Sequence, residues 1–172
     1  MAVTIKEIGN DQVERMAQIF LDCLQIQYKD ILPSEIREAF TFNRSLELWQ
    51  KSFTSDPTSK IIGAFVDGEL AGFTKFGPSS SDSKVGYLAS LYVSPDFGRR
   101  GIGRTLLEYA LTQLQSYKRV QLWVFANNRP AISLYEALGF LATGIQKTEK
   151  EWGTLQILME LDNSQSRGTN NS

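Results

Sequence analysis

A glycine-rich turn between an apolar run and an amphipathic segment restricts the fold of this chain more than any other feature. Tyr87–Val93 is an apolar run of strand length, and the turn Gly98–Arg104 follows it. Apolar residues then recur at helical spacing through Leu114, and Val120–Phe125 forms a second short apolar run. A strand, a helix and a strand in this order predict a parallel, right-handed unit within a mixed sheet.

The N-terminal part of the chain predicts a strand, several helices and a hairpin. Apolar spacing indicates a helix from Val13 to about Tyr28, with Asn10 or Asp11 as its N-cap. The dipeptide Asp67-Gly68 joins two apolar runs and is a strong hairpin signal. The other predicted elements here are a strand, two short helices, the two hairpin strands and a polar loop: Val3–Ile8, Ile36–Phe40, Leu46–Phe53, Ile61–Val66, Leu70–Phe76 and Gly77–Ser83.

The C-terminal part predicts a helix that Pro130 opens and Gly139 ends, followed by strands over Phe140–Ile145 and Leu155–Leu161. Together, these elements predict a single α/β (α+β) domain over residues 1–162, with a mixed central sheet of about seven strands flanked by helices. Residues 163–172 are polar and lack large apolar groups, so they are predicted to form a disordered tail.

Composition argues against several classes of function. The chain has 172 residues and a formal net charge of −1, so no strong field draws it to nucleic acid or to a membrane. No stretch approaches the roughly 18 apolar residues of a membrane span, and the N-terminus lacks a secretory pattern. Cys23 is the single cysteine, which excludes an intramolecular disulfide and favours a cytoplasmic location.

The chain contains no histidine, and this limits its chemistry. Ser-His and Cys-His nucleophile pairs are excluded, and carboxylates with Cys23 alone make a poor zinc site, so no metal is predicted. A general base would have to be a carboxylate, a tyrosine, a lysine, the cysteine or a relayed water. Cys23 is predicted to be a buried or half-buried thiol on a helix.

The turn Gly98–Arg104 has the properties of an anion-binding site. Its glycines let a ligand approach the backbone, and the first amides of the following helix have no partners within that helix. Those amides carry the positive end of the helix dipole, and Arg99, Arg100 and Arg104 add positive charge. A pyrophosphate group fits these properties.

Two nucleotide-binding motifs compete for this turn. The dinucleotide-binding fingerprint requires a third glycine where Leu106 stands, so it is set aside. The spacing from Gly98 to Thr105 matches a P-loop, but Arg104 replaces the required lysine and no aspartate ends the strand Val120–Phe125. A P-loop-like nucleotide-binding enzyme stays an alternative.

A second motif downstream points to a particular family. The turn reads Arg-Arg-Gly-Ile-Gly-Arg. The second motif has the spacing Asn-x-x-Ala-Ile-x-x-Tyr-x-x-x-Gly-Phe, and the residues that match it are Asn128, Ala131, Ile132, Tyr135, Gly139 and Phe140. Both motifs, in this order and separated by a helix and a strand, resemble the GCN5-related N-acetyltransferase (GNAT) superfamily, roughly over residues 60–161. The resemblance implies direct transfer of an acetyl group from acetyl-coenzyme A (acetyl-CoA) to a primary amine of a small molecule or protein, without an acyl-enzyme.

The resemblance also implies roles for the matching residues. Backbone groups of Leu91, Tyr92 and Val93 would bind the pantetheine like an added strand, and a bulge there would aim an amide at the thioester oxygen. Asn128 would bind the cofactor as well as cap a helix, and Tyr135 would protonate the leaving thiolate. The predicted pyrophosphate ligands are the amides of Arg99, Arg100, Gly101, Ile102, Gly103 and Arg104.

The general base stays open. The family often has a glutamate early in the central strand, where this chain has Tyr87. Glu149, Glu151 and a water chain are all candidates for taking the proton of the ammonium group. Because that glutamate is absent, a CoA-binding protein with little catalysis is a further alternative.

The acceptor is the least predictable part of the site. Trp123 and Trp152 are predicted to serve core or edge packing. Since dimers are common in the family, the resemblance also leaves room for a homodimer. The predicted acceptor-site residues are Tyr28, Leu32, Trp49 and Tyr87.

Overall fold

The structure is a computed structural model that describes residues 2–164. Short 3-10 turns at Asn10–Gln12 and Pro95–Phe97 separate some of the main elements. The strands and helices are β1 (Val3–Glu7), α1 (Val13–Gln25), α2 (Ser34–Ala39), α3 (Phe42–Ser52), β2 (Lys60–Val66), β3 (Glu69–Pro78), β4 (Gly86–Val93), α4 (Ile102–Gln113), β5 (Arg119–Phe125), α5 (Arg129–Ala137), β6 (Leu141–Thr148) and β7 (Leu155–Asp162).

The strands form one 7-stranded mixed sheet with the order β1-β2-β3-β4-β5-β7-β6. Strands β4 and β5 are parallel, as the strand–helix–strand pattern predicts, and the other neighbours are antiparallel. The pairing of β4 with β5 is confined to Gly86–Leu88 against Val120–Leu122. Beyond those residues the two strands separate, and the sheet opens into a cleft.

The hairpin between β2 and β3 follows from its turn residues. Asp67 has φ 51° and Gly68 has φ 81°, and Val66 pairs directly with Glu69. A two-residue turn with positive φ at both central positions matches the right-handed twist of the flanking strands. The predicted hairpin at Asp67-Gly68 is confirmed.

The core lies on both faces of the sheet. Side chains of a strand alternate between faces, so Ile62 and Ala64 of β2 contribute to one apolar cluster while Ile61 and Phe65 contribute to the other. The apolar face of α4, including Leu106, buries against the first cluster. Helices α1 and α3 cover the second cluster, which is rich in aromatic rings.

The N-terminal helix differs from its prediction at both ends. A 3-10 turn precedes α1, and the side chains of Asn10 and Asp11 cap neither element. Helix α1 ends at Gln25, short of Tyr28, whose backbone nitrogen donates a hydrogen bond to the carbonyl of Cys23 at 2.9 Å. This wider turn directs the Tyr28 ring towards Phe125, with 6.0 Å between ring centroids.

Other boundaries move by a few residues. Strand β3 continues to Pro78, so the predicted loop Gly77–Ser83 begins later, and β6 continues to Thr148. Asn163, the first residue of the predicted tail, contacts the domain through its side chain, which donates to the carbonyl of Tyr117 at 2.9 Å. The predicted disordered tail otherwise falls on residues 165–172, outside the described part of the chain.

Candidate active site

The cleft between β4 and β5 is the candidate active site. It encloses about 910 Å³ and passes between the separated strands. Tyr135 and Leu134 of α5 pack with the cluster on the α4 face, whereas Tyr28, Phe125 and Trp152 pack with the cluster on the α1 face. The cleft therefore connects the two faces of the sheet.

Strand β4 carries a bulge beside the cleft. Phe76 of β3 pairs with Leu88 and Lys75 pairs with Ser90, so Ala89 is an extra residue in β4. The Thr74 hydroxyl donates to the carbonyl of Ser90 at 2.6 Å, which fixes the strand directly after the bulge. The sequence predicts a bulge within Leu91–Val93, and the observed one lies earlier in the same strand.

Leu91, Tyr92 and Val93 all line the cleft; the family resemblance implies that they bind pantetheine. The carbonyl oxygen of Val93 accepts hydrogen bonds from Cys23 Sγ and Gln27 Nε2, each at 3.2 Å. These bonds anchor α1 and the turn after it to the end of β4. Cys23 is buried, as predicted, and burial raises the pKa of its thiol to about 12.

The turn Gly98–Arg104 forms a concave backbone surface. Arg99 has φ 62° and Gly101 has φ 74°, so two residues of the turn adopt the left-handed conformation. For the non-glycine residue Arg99 this conformation costs about 1–3 kcal/mol, and strain of this kind concentrates at ligand sites. Gly101 precedes α4 with no side-chain cap, and a Cβ there would meet nothing within 4 Å. The first amides of α4 have no partners within the helix, and no side chain caps them.

The three arginines of the turn differ in position. Arg99 and Arg104 line the cleft together with Gly101, Ile102 and Gly103. Arg104 Nε also donates to Glu108 Oε1 at 2.9 Å along the exposed side of α4. Arg100 is predicted to bind the pyrophosphate, but it is absent from the cleft lining, and its guanidinium lies 5.4 Å from the centre of the Phe97 ring.

Tyr135 and Asn128 occupy the cleft wall near α5. Asn128 is buried, and its Oδ1 accepts a hydrogen bond from the Ala131 nitrogen at 3.4 Å, so the predicted cap is present. Burial raises the pKa of Tyr135 to about 12, which keeps the phenol protonated at neutral pH. Its ring meets Phe140 edge-on at 6.0 Å.

The structure brings only two of the four predicted acceptor-site residues into the cleft. Tyr28 and Tyr87 line it, whereas Leu32 and Trp49 do not. Trp49 is buried in the core, where its ring contacts Phe73 at 4.9 Å, and Leu32 is also buried. The apolar faces of their segments turn these side chains towards the sheet.

Several residues that line the cleft belong to no sequence motif. They come from the segment after α1, from β5, from the end of β6 and the connection after it, and from the start of β7, which meet only in the folded chain. Trp123 and Trp152 are predicted as packing residues. Trp152 does stack on Phe40 at 5.4 Å against the second core cluster, and both tryptophans also line the cleft. These residues include Gln27, Ile31, Trp123, Phe125, Lys147, Trp152 and Gln156.

Burial raises the pKa of Tyr87 above its ordinary value, and the negative charge of Glu149 adds to the effect. Tyr87 is therefore protonated at neutral pH and is a poor proton acceptor. Of the two carboxylates predicted as candidate bases, Glu149 lines the cleft and Glu151 does not. Glu151 instead lies 4.0 Å from Arg44 on α3.

Residues 13–140 match the Acetyltransferase (GNAT) family. The chain belongs to this family. It is 47% identical over 62 residues to the [ribosomal protein bS18]-alanine N-acetyltransferase of Salmonella typhimurium, across 35% of this chain and 42% of that protein. It is 30% identical over 113 residues to the peptidyl-lysine N-acetyltransferase YiaC of Escherichia coli, across 66% of this chain and 60% of that one.

Solved GNAT structures share the fold. The PaiA N-acetyltransferase of Thermoplasma acidophilum, in complex with coenzyme A, superposes with a TM-score of 0.73 at 21% identity, across 94% of this chain and 99% of that one. The resemblance and the fold class predicted from the two motifs are confirmed. Between residues 2 and 164, no helix is long and apolar enough to cross a membrane. The same range contains no cluster of acidic or cysteine side chains suited to a metal ion.

Proposed function

We propose that this GNAT chain is an N-acetyltransferase that transfers an acetyl group from acetyl-CoA to a primary amine by direct attack. The observation that carries the proposal is the cleft between β4 and β5, which has the concave turn along its lining and Tyr135 in its wall. The names of the bS18-alanine and peptidyl-lysine N-acetyltransferases that it resembles agree with this activity.

The residues of the cleft fit acetyl-CoA. The left-handed Arg99 and Gly101, with open space beside Gly101, leave the backbone of the turn accessible to a diphosphate. The edge of β4 at Leu91, Tyr92 and Val93 lies along the cleft, where main-chain groups would hold the pantetheine. Asn128 uses its Oδ1 as the helix cap, which leaves its amide NH₂ for the cofactor.

The chemistry needs three proton transfers: one to the leaving sulfur and two from the attacking nitrogen, which arrives as ammonium and ends as an amide. When bound, acetyl-CoA supplies a thioester whose carbonyl carbon the amine nitrogen attacks, so that a C–N bond forms and the C–S bond breaks. Tyr135 gives its proton to the sulfur as that bond breaks, and its raised pKa keeps the proton available at neutral pH. The proton of the incoming ammonium group goes to a base on the acceptor side of the cleft.

Thiol release from acetyl-CoA in the presence of a panel of amines tests the proposal. We expect turnover that depends on both substrates and requires no metal. Tight CoA binding without turnover of any amine would favour the alternative of a CoA-binding protein. Magnesium-dependent ATP binding, with no binding of CoA, would favour the P-loop-like alternative.

We also propose a cytoplasmic location and a homodimer. The single buried thiol of Cys23 suits a reducing compartment. Strand β6 lies at the edge of the sheet and exposes Leu141 and Ile145 by 72% and 56%, which supports self-association there. Light scattering during size-exclusion chromatography measures the mass, and a monomer of 19.3 kDa at micromolar concentration would refute the dimer.

A further inference from the structure

The acceptor side of the cleft has an aromatic wall. The Tyr28 ring meets Phe125 edge-on at 6.0 Å, and Phe125 meets Trp152 edge-on at 5.8 Å. All three rings line the cleft, and Ile31 lies with them. They pack on the opposite face of the sheet from α4 and Tyr135. An acceptor entering from this face meets apolar and π surface first.

A single carboxylate accompanies this wall. Glu149 is the only aspartate or glutamate among the described residues that line the cleft. Its backbone carbonyl accepts hydrogen bonds from the nitrogens of Trp152 and Gly153, at 3.1 and 2.9 Å, so Glu149 and Trp152 belong to the same turn. The charge of Glu149 also acts on Tyr87, which places the carboxylate near the start of β4.

One lysine pairs with this carboxylate, and two arginines line the other side of the cleft. Lys147 Nζ lies 2.5 Å from Glu149 Oε1 and 4.3 Å from the centre of the Trp123 ring. Lys147 therefore cancels the charge of Glu149 until another cation replaces it. Arg99 and Arg104 line the cofactor side. Lys150 and Glu151 flank Glu149 on the same turn, and Glu151 is within 4.0 Å of Arg44.

We propose that Glu149 binds the ammonium group of the acceptor and takes its proton, and that the aromatic wall selects monoamines with an apolar body. This inference rests on the proposed acetyltransferase function. The proton passes from the ammonium nitrogen to Glu149, and the freed nitrogen attacks the thioester carbon. As the C–S bond breaks, Tyr135 protonates the departing sulfur and the new amide nitrogen loses its second proton to solvent. Glu149 then releases its proton to solvent, and Tyr135 regains one from it.

The charged residues of the cleft also disfavour polyamines as acceptors. A second ammonium group within the cleft would find no further carboxylate among the described lining residues and would face Lys147. A desolvated cation without a partner is costly, whereas an aliphatic or aromatic body gains from contact with the rings.

A matched pair of amines tests the selectivity. Hexylamine and 1,6-diaminohexane have the same length and differ by one terminal ammonium group. We expect kcat/KM for hexylamine to exceed that for the diamine by about tenfold or more, the scale of one unfavourable contact. Equal values, or a preference for the diamine or spermidine, would overturn the monoamine assignment.

Glu149→Gln tests the proton transfer, with Glu151→Gln as the matched control outside the cleft. We expect a loss of about 100-fold or more in kcat/KM at pH 7 for Glu149→Gln and no loss for the control. Wild-type kcat/KM should vary little with pH across the neutral range, because the ammonium form of the amine binds and Glu149 takes its proton. The Glu149→Gln variant should instead gain about tenfold per pH unit up to the amine pKa of about 10, because only the free amine reacts.

If Glu149 had only a structural role, Glu149→Gln would lower kcat/KM without changing how steeply kcat/KM rises with pH. Equal losses in the two variants, or a wild-type pH profile in Glu149→Gln, would overturn the assignment of Glu149 and leave the acetyltransferase function intact. A wild-type protein that binds CoA but acetylates no amine would overturn both.

Discussion

Replacing Gly101 tests whether the concave turn holds the phosphates of CoA. Gly101 has φ 74°, and a side chain there points into open space, so substitution creates no clash. Aspartate and asparagine have nearly the same shape, and both tolerate the left-handed conformation better than other residues. A comparison of Gly101→Asp with Gly101→Asn therefore isolates one negative charge beside the proposed phosphate site.

The magnitude follows from Coulomb's law. Two like charges about 6 Å apart repel by about 0.7 kcal/mol at a dielectric constant of about 80 and by about 2.8 kcal/mol at about 20. CoA should therefore bind Gly101→Asp about 3- to 100-fold more weakly than Gly101→Asn, for each unit of ligand charge. Both variants should unfold at similar temperatures, about 2–4 °C below wild type, if the left-handed strain costs about 1 kcal/mol.

Isothermal titration calorimetry with CoA at two salt concentrations measures this difference. The difference in CoA affinity between Gly101→Asp and Gly101→Asn should decrease at high salt, since the aspartate charge lies at an open surface. Equal CoA affinities for the two variants at low salt would refute phosphate binding by this turn. A thermal melt of each variant shows whether any loss of affinity arises from unfolding.

Further predictions concern single side chains. Tyr135→Phe should lower kcat about 100-fold with little change in the CoA dissociation constant, and wild-type kcat should not decline below about pH 10, because the Tyr135 pKa is about 12. Trp49→Ala should lower stability by about 3–5 kcal/mol, as measured by urea unfolding, and leave the hexylamine-to-diamine ratio unchanged at a permissive temperature. Iodoacetamide should alkylate Cys23 at least about 100-fold more slowly in the native protein than in denaturant, since burial raises its pKa. Rapid alkylation of native protein would contradict the buried position of Cys23.

The parts of the fold that the sequence predicts are those encoded by local chemistry. Asp67 and Gly68 accept the positive φ of a tight hairpin turn, and Gly101 does the same at the start of α4. Asn128 caps α5 through its own side chain. Each of these signals acts over a few residues, so it can be read from the sequence without knowledge of distant contacts.

The errors come from contacts between distant segments. Tyr28 leaves the helical pattern because its ring packs against Phe125, about a hundred positions away in the chain. Trp49 and Trp152 carry the same side chain, yet Trp49 lies in the core and Trp152 lines the cleft. The position of the β4 bulge at Ala89 depends on the register with β3. None of these outcomes is contained in a short stretch of sequence.

The distinction between local signals and contacts of distant segments also separates the cofactor side of the candidate site from the acceptor side. The cofactor side is built from main-chain geometry at Arg99 and Gly101 and from one short motif around Tyr135, so glycine and tyrosine positions reveal it. The acceptor side is built from side chains that only the tertiary structure unites, such as Tyr28 and Glu149. A site built from main-chain groups requires particular residue types at only a few positions. The acceptor site is built from side chains, so single substitutions can change it while the main-chain cofactor site stays intact. Family membership therefore predicts the acyl donor much better than the amine, and the amine has to be argued from the charges and rings of this particular cleft.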